Sequence, residues 1–169
     1  MGRVVQVDQK RWLLDVNSYQ HGHLNLSSIN KPGGVQRRVN EEDQLNMRTY
    51  FKEGDVISAE VQQVNSNDGK ISLHTRNLKY GKLINGFLLK ADSNFIRRMK
   101  NHMIELTVGD INVGCIIGTN GYVWIHSGPS TGSAQTSTMG AQTREAMSVV
   151  RNAIINLQEQ QLPIFKDTI

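Results

Sequence analysis

The sequence is poor in cysteine and has no long apolar run, and both absences narrow what the chain can be. It contains a single cysteine, Cys115, so no disulfide can form within the chain, and this usage suits a reducing compartment. Cys115 stands in the apolar stretch VGCIIG, with no basic neighbour in sequence to stabilise a thiolate, which favours a buried structural thiol over a nucleophile. No apolar stretch approaches the about 20 residues that a membrane-spanning helix needs, so we expect no membrane partner.

Basic residues are missing from a long stretch of the second half. No Lys or Arg lies between Lys100 and Arg144, although the formal net charge of the whole chain is +4. The positive charge is therefore concentrated in the first hundred residues. A basic surface favours polyanionic partners such as nucleic acids.

Groups that would support catalysis or bind a metal ion are also sparse. Glu41, Glu42 and Asp43 form the one cluster of carboxylates, and capping of the helical turn that follows explains it better than a metal-dependent nuclease site. His21 and His23 place two imidazoles on one face of a strand, but zinc sites use three or four protein ligands and no third is evident. We therefore expect no enzymatic activity, no metal, no cofactor and no small-molecule substrate.

Short alternating segments separated by turn residues predict an all-β first half. Strands are predicted at 3–7, 11–16, 23–26, 56–63 and 71–74. A long polar connection follows the third strand, with a helical turn at 47–52, and Asp68-Gly69 supplies the positive φ of a tight hairpin between the last two. Five short strands with one long connection after the third are typical of an OB-type barrel, a fold that commonly binds oligonucleotides.

The second half has a different pattern, which predicts a small α+β domain. Strands are predicted at 83–90, 103–106, 111–117 and 122–126, and a short basic helix at 93–101. A polar low-complexity loop covers 128–140. A longer helix is predicted at 141–160, because Ala146, Val150, Ile154 and Leu157 recur at helical spacing before Pro163 ends the pattern.

Several of these segments resemble a known family. GRVVQV, LLDV, HGHLNLSSI, FKEGDVISAEV and DGKISLHTR, in this order, are similar to the RNA-binding domain named after ribosomal protein S-one. GTNG, inside VGCIIGTNGYVWI, is similar to the GxNG motif of a divergent KH domain. With the joint LHTRNLKYGKL between them, the whole chain resembles the cap subunits of the eukaryotic RNA exosome of the ribosomal RNA-processing protein four type. The expected division is an S-one-type OB-fold domain at 1–77 and a divergent KH domain at 78–169.

This resemblance implies a noncatalytic function. Cap subunits of this kind brace a ring of RNase PH-like proteins beside other cap subunits and guide single-stranded RNA into its channel for 3'-to-5' processing and decay. It also implies a place in the nucleus, including the nucleolus, and in the cytoplasm. Family members are longer at both ends, so further sequence is expected on either side. A purely structural cap scaffold without RNA contacts, and an S-one/KH RNA-binding factor outside the exosome, are the alternatives.

The chain departs from the family pattern where S-one domains stack RNA bases. The aromatic positions of the second strand hold Lys10 and Leu13, and the histidine position of the third strand holds Asn25. Trp12 is shifted by one residue and is expected to face the core. Charge should therefore carry RNA binding, and the candidate residues are Lys10, Arg11, Arg37, Arg38, Arg97 and Arg98.

Two further sets of residues receive other roles. Gly118, Asn120 and Gly121 lie between strongly β-prone runs, which favours a structural hairpin turn over an RNA clamp between helices. The basic joint resembles a family segment that meets the ring. Its candidate docking or interdomain residues are Arg76, Lys79, Tyr80 and Lys82.

Overall fold

A computed structural model of the chain describes residues 1–30, 40–128 and 139–169. Their contacts define two units, Met1–Leu83 and Ile84–Ile169. Residues 78–83 pack with the first unit. The family-domain division after residue 77 stays a prediction.

Strand segments paired in one curled sheet build the first unit. The strands are β1 (Gly2–Val7), β2 (Arg11–Asp15), β3 (Gly22–Ile29), β4 (Val56–Ser58), β5 (Glu60–Val64), β6 (Ile71–Thr75) and β7 (Gly81–Lys82), with the helices α1 (Glu41–Leu45) and α2 (Met47–Tyr50) before β4. The sheet order is β5-β6-β3-β2-β1-β4-β7. Since β4 and β5 are separated only by Ala59, they form one bent strand that pairs with β1 at its start and with β6 beyond the bend. The predicted OB-type barrel is confirmed. The structure adds a parallel pairing of β3 with β6.

The barrel core follows from the period-2 alternation of the strands. Trp12 and Leu14 of β2 face inward with Leu24 and Leu26 of β3, and all four are buried. The indole nitrogen of Trp12 donates to the backbone oxygen of Phe51 at 2.9 Å. The expectation that Trp12 is a core residue is therefore confirmed, and its ring is not available to stack on a base.

The acidic cluster lies within the short helix α1, inside the stretch predicted as a polar connection, and Asp43 caps this helix. Asp43 is buried, and its carboxylate accepts the backbone N–H of Asn40 at 3.0 Å and the hydroxyl of Tyr50 at 2.8 Å. Asp43 thus ties the start of α1 to the end of α2.

The second unit is a small α+β structure, as predicted. Its strands are β8 (Gly86–Lys90), β9 (Met103–Val108), β10 (Ile111–Ile117) and β11 (Tyr122–His126), and its long helix is α3 (Ala141–Glu159). They form an antiparallel sheet in the order β8-β11-β10-β9, and α3 packs on one face of it. Val113, Cys115 and Ile125 of the sheet share a core with Met147 and Ile154 of α3. Burial raises the pKa of the Cys115 thiol to about 12, as befits a structural thiol.

Two sequence-based predictions in the second unit are clearly wrong, while β9 runs two residues past its predicted end and α3 stops one residue before it. The basic helix predicted at 93–101 is only a 3-10 turn, Ser93–Phe95, because the backbone is extended again at Ile96, which bridges to Ile164. The strand predicted at 83–90 begins at Gly86, since Asn85 turns the chain with a φ of 55°. Within the described ranges, no helix is both long and apolar enough to cross a membrane.

Candidate nucleic-acid interface

The turn between β1 and β2 presents the first two candidate RNA-binding residues. Lys10 and Arg11 are both exposed there. Nε of Arg11 donates to Oδ2 of Asp8 at 3.0 Å, and the side-chain amide of Gln6 donates to Oδ1 of the same carboxylate at 2.7 Å. These bonds, the one from Arg11 first, lower the pKa of Asp8. Asp8 therefore compensates part of the Arg11 charge, whereas the charge of Lys10 faces solvent.

The outer face of β2, β3 and β6 continues this surface. Residues that alternate with the core residues along each strand point outward. Strand pairing places Leu13, His23 and Ser72 side by side in one row, and Arg11 lies beside Asn25. Burial, followed by the charges of Arg11 and Lys70, lowers the pKa of His23. His23 therefore lies within the electrostatic influence of Arg11 and Lys70, which Asp68 partly opposes.

Sequence reasoning missed His23 and Lys70 as members of this face. It considered His23 only as half of a metal site, and the described residues contain no group of three or more metal-binding side chains. The signal was present in the alternation, because a buried Leu24 requires His23 and Asn25 to face outward. The neighbourhood of Lys70 depends on the parallel pairing of β3 with β6, which connects residues far apart in sequence.

The base-stacking positions of the strands carry no aromatic ring. Lys10 and Asn25 are exposed and Leu13 is half-buried on the outer face. The aliphatic and polar side chains at these positions offer no ring for stacking. At these three positions, contacts with a polyanion are therefore limited to hydrogen bonds, charge and aliphatic contact.

The basic candidates of the second unit follow its 3-10 turn. Arg97 and Arg98 are exposed. The guanidinium of Arg97 lies 5.5 Å from the centre of the Phe165 ring, a cation–π distance, and its backbone N–H donates to the oxygen of Ile164. Arg97 thus helps to hold the C-terminal segment, whereas Arg98 has no such role among the described contacts. Arg37 and Arg38 lie outside the described residues, and their RNA contact stays a prediction.

The joint after β6 is an ordered turn that returns to the barrel. The side-chain oxygen of Asn77 accepts the backbone N–H of Lys79 at 3.1 Å, and its carbonyl accepts that of Tyr80 at 3.0 Å. Arg76 and Lys79 are exposed, while burial raises the pKa of the half-buried Tyr80. Strand β7 then pairs with β4.

Of the four joint residues, Lys82 is engaged inside the barrel unit. Its ammonium lies 3.0 Å from Oδ1 of Asp55, a carboxylate whose side chain is only 10% exposed. Lys82 therefore fastens β7 to the start of β4. Arg76 and Lys79 are the joint charges that face solvent.

The GTNG segment is the turn between β10 and β11, which confirms the predicted hairpin. The N–H of Gly118 donates to the oxygen of Tyr122 at 2.8 Å, and the N–H of Gly121 donates to that of Gly118 at 3.1 Å. Gly121 has a φ of +89°, a conformation that other residues rarely adopt. Thr119 is exposed at the tip and Asn120 is half-buried. The structural rather than RNA-binding role of Gly118, Asn120 and Gly121 stays a prediction.

Comparison with known proteins agrees with the two units and their order. A family model described as RRP4, S1 domain, matches residues 1–63, and one described as KH domain matches residues 86–131. Exosome complex component RRP4 of Bos taurus is 40% identical over 176 residues, covering 100% of this chain and 59% of that protein. The same component of Saccharomyces cerevisiae is 42% identical over 167 residues, covering 95% of this chain and 45% of that protein.

A solved structure shares the fold. It is described as a crystal structure of a candidate exosome complex RNA-binding protein, and it superposes with a TM-score of 0.54 at 13% identity, covering 89% of this chain and 90% of that one. The chain spans about three fifths of the length of the bovine relative. With an S1 domain of the RRP4 type followed by a KH domain, the chain belongs to the family of exosome complex component RRP4.

Proposed function

We propose that the chain is a noncatalytic RNA-binding cap subunit of an RNA exosome, which braces an RNase PH-like ring beside other cap subunits and guides single-stranded RNA into the channel. The observation that carries the proposal is the RRP4-type S1 domain joined to a KH domain, with the basic residues Lys10 and Arg11 exposed on the barrel unit. The proposed working places are the nucleus, including the nucleolus, and the cytoplasm.

RNA is held mainly through its phosphates in this proposal. Lys10 and Arg11 lie at one turn of the barrel, and the outer strand face near them carries no aromatic ring at the stacking positions. Together with Arg37 and Arg38, they would contact about four phosphates. Such contacts give a slope near −3 for log affinity against log salt on single strands. Guidance by charge is independent of sequence, which suits a subunit that passes many RNAs.

Docking on the ring is assigned to the joint. Arg76 and Lys79 are exposed on an ordered turn, and Tyr80 lies half-buried next to them. A rigid turn loses little conformational entropy on binding, so its charges can position a partner precisely. Lys82 supports this turn through Asp55 and does not itself need to contact the ring.

The test uses the complete chain assembled with its ring and cap partners. Binding of a fluorescent single-stranded RNA is measured by anisotropy over a salt series, for the natural chain and for a variant with Lys10, Arg11, Arg37 and Arg38 changed to Ala. We expect a weaker affinity and a flatter salt dependence for the variant. A matched control changes the exposed residues Lys52, Lys90, Arg151 and Lys166 to Ala.

The possible outcomes separate the proposal from its rivals. Equal affinities of the variant and the natural complex would favour a scaffold that does not touch RNA. An equal loss in the control would show a nonspecific effect of net charge. Cleavage of RNA by the purified complete chain with Mg²⁺ or Mn²⁺ would contradict the noncatalytic role, and failure to assemble with the ring would contradict the cap assignment.

A further inference from the structure

The turn between β2 and β3 displays an aromatic side chain to solvent. Tyr19 has a relative exposure of 101%, so its ring makes almost no packing contact. The turn itself is ordered: Asn17 has a φ of 55°, and its N–H donates to Oδ1 of Asp15 at 2.9 Å. A single exposed aromatic is not unusual, and its surroundings decide what it can do.

The surroundings of this turn are polar and cationic. The tip of the β5–β6 hairpin lies against it, because a Cβ built on Gly69 would be 3.5 Å from Cγ of Gln20. Lys70 follows Gly69 and pairs with Asp68 at 3.0 Å. The charges of Arg11, Lys70, Asp68 and His21 all act on His23, which follows this turn in β3.

We propose that Tyr19 is a base-stacking platform for single-stranded RNA at the end of the barrel where the β2–β3 and β5–β6 turns meet. The inference rests on the proposed RNA-binding function and adds a stacking contact beside a face that has no aromatic ring at Lys10, Leu13 and Asn25. Lys70 would hold an adjacent phosphate, and the Tyr19 ring would cover one base. Arg11 lies at the other end of β2 and would hold a phosphate further along the RNA. Because every base has a π-face, this contact is tolerant of sequence, as channel guidance requires.

RNA fits this site better than a protein partner does. The neighbours of the ring in its turn are Asn17, Ser18 and Gln20, and no exposed apolar residue of the turn accompanies it. Protein hot spots are usually surrounded by contacts that exclude water. An isolated ring among polar and cationic groups is instead the combination that single-strand binding proteins use.

The experiment compares two substitutions of one residue in the assembled complex. Tyr19→Ala removes the ring, whereas Tyr19→Phe keeps it and removes only the hydroxyl. By anisotropy with a uridine 12-mer, we expect Tyr19→Ala to weaken binding about fivefold or more, and Tyr19→Phe to stay within about twofold of the natural chain. Leu45→Ala, which removes an 85% exposed side chain of the same unit, is the matched control and should bind as the natural chain does.

Each result has a definite meaning for the proposal. Unchanged affinity of Tyr19→Ala would overturn the stacking role while leaving the proposed function intact, provided that the Lys10 and Arg11 charge variants still weaken binding. If Tyr19→Ala instead impaired assembly of the complex by size-exclusion chromatography, the residue would be a protein contact and the stacking role would fall. If the natural complex bound no RNA, the proposed function and the stacking role would fall together.

Discussion

Lys82 extends its ammonium to within 3.0 Å of the carboxylate of Asp55, and this ion pair connects the last strand segment of the barrel unit to the start of β4. Asp55 also accepts the backbone N–H of Lys52 at 3.0 Å, so it organises two points of the chain. The pair separates two roles within the basic joint. Lys82 contributes to the fold, and Lys79 faces solvent on the turn before it.

Lys82→Met should therefore destabilise the protein, and Lys79→Ala should not. Removing the ammonium leaves a mostly buried carboxylate without its ion partner, and we expect the free energy of unfolding to fall by about 1 kcal/mol. Lys79→Ala removes an exposed charge and should change it by less than about 0.5 kcal/mol. Chemical denaturation of the complete chain measures both values. Equal losses would show that the joint is a single structural unit, and a neutral Lys82→Met would remove the structural role of the pair.

The GTNG hairpin gives a second prediction that separates fold from RNA binding. Gly121→Ala forces a side chain into a φ of +89°, so we expect a loss of about 1–2 kcal/mol of stability, with little change in RNA affinity below the onset of unfolding. Thr119→Ala, at the exposed tip of the same turn, is the control and should alter neither quantity. Measurements are the melting temperature of the complete chain and the RNA affinity of the assembled complex, at a temperature where both variants remain folded. A large loss of affinity from Thr119→Ala would indicate that RNA contacts this turn.

A substitution of Asp8 tests, through an increase in RNA affinity, whether Arg11 binds RNA by its charge. Asp8→Asn keeps the size of the side chain, removes a negative charge beside the RNA face and releases Arg11 from its ion pair. We expect tighter RNA binding at low salt and a steeper salt dependence, by up to about 0.7 in the log–log slope if Arg11 gains one phosphate contact. Asp110→Asn makes the same charge change at an exposed turn of the second unit and is the matched control. Unchanged affinity for Asp8→Asn would show that Arg11 does not reach the RNA.

Strands and helices could be predicted from the sequence where local residue patterns determine them. Strands β10 and β11 match their predicted bounds, because β-prone runs flank a turn that contains Asn120-Gly121. Trp12 could be assigned to the core because it alternates with Arg11 and Leu13. In the region predicted as a basic helix, the composition was misleading: Asp92 caps only one turn, and Ile96 bridges to Ile164, a contact between residues distant in sequence.

The candidate site was predictable only in part, for the same reason. Lys10 and Arg11 lie in a turn that the sequence marks clearly, and both were found there. The compensation of Arg11 by Asp8 needs a side-chain geometry that residue spacing does not determine. The proximity of Lys70 to His23 arises from the parallel pairing of β3 and β6, and Tyr19 gains its cationic surroundings from the turn at Gly69. Contacts between segments that are distant in sequence therefore could not be predicted.

We expect the stability of the chain to depend on pH, because His126 is held on the sheet face of the second unit that does not pack on α3. The ring of His126 lies across Gly114 on the neighbouring strand, where a Cβ would collide with it, and its Nδ1–H donates to the oxygen of Gly128 at 3.0 Å. Burial lowers the pKa of His126, and this effect outweighs the opposing influence of the Gly128 carbonyl and of Glu105. His23 of the first unit has a lowered pKa as well, for which burial is again the largest cause.

The sign of the dependence follows from proton binding. In the unfolded chain a histidine has a pKa of about 6.5, so below this pH the unfolded state binds more protons than the folded state does. The free energy of unfolding should therefore decrease as the pH falls from about 7.5 to about 5.5, a window above the titration of most carboxylates. His126→Gln should flatten this dependence, and adding His23→Gln should flatten it further. Denaturant unfolding of the complete chain at several pH values across this window measures the change of the free energy of unfolding with pH. If the double variant has the same dependence as the natural chain, the fold does not hold either imidazole in its neutral form.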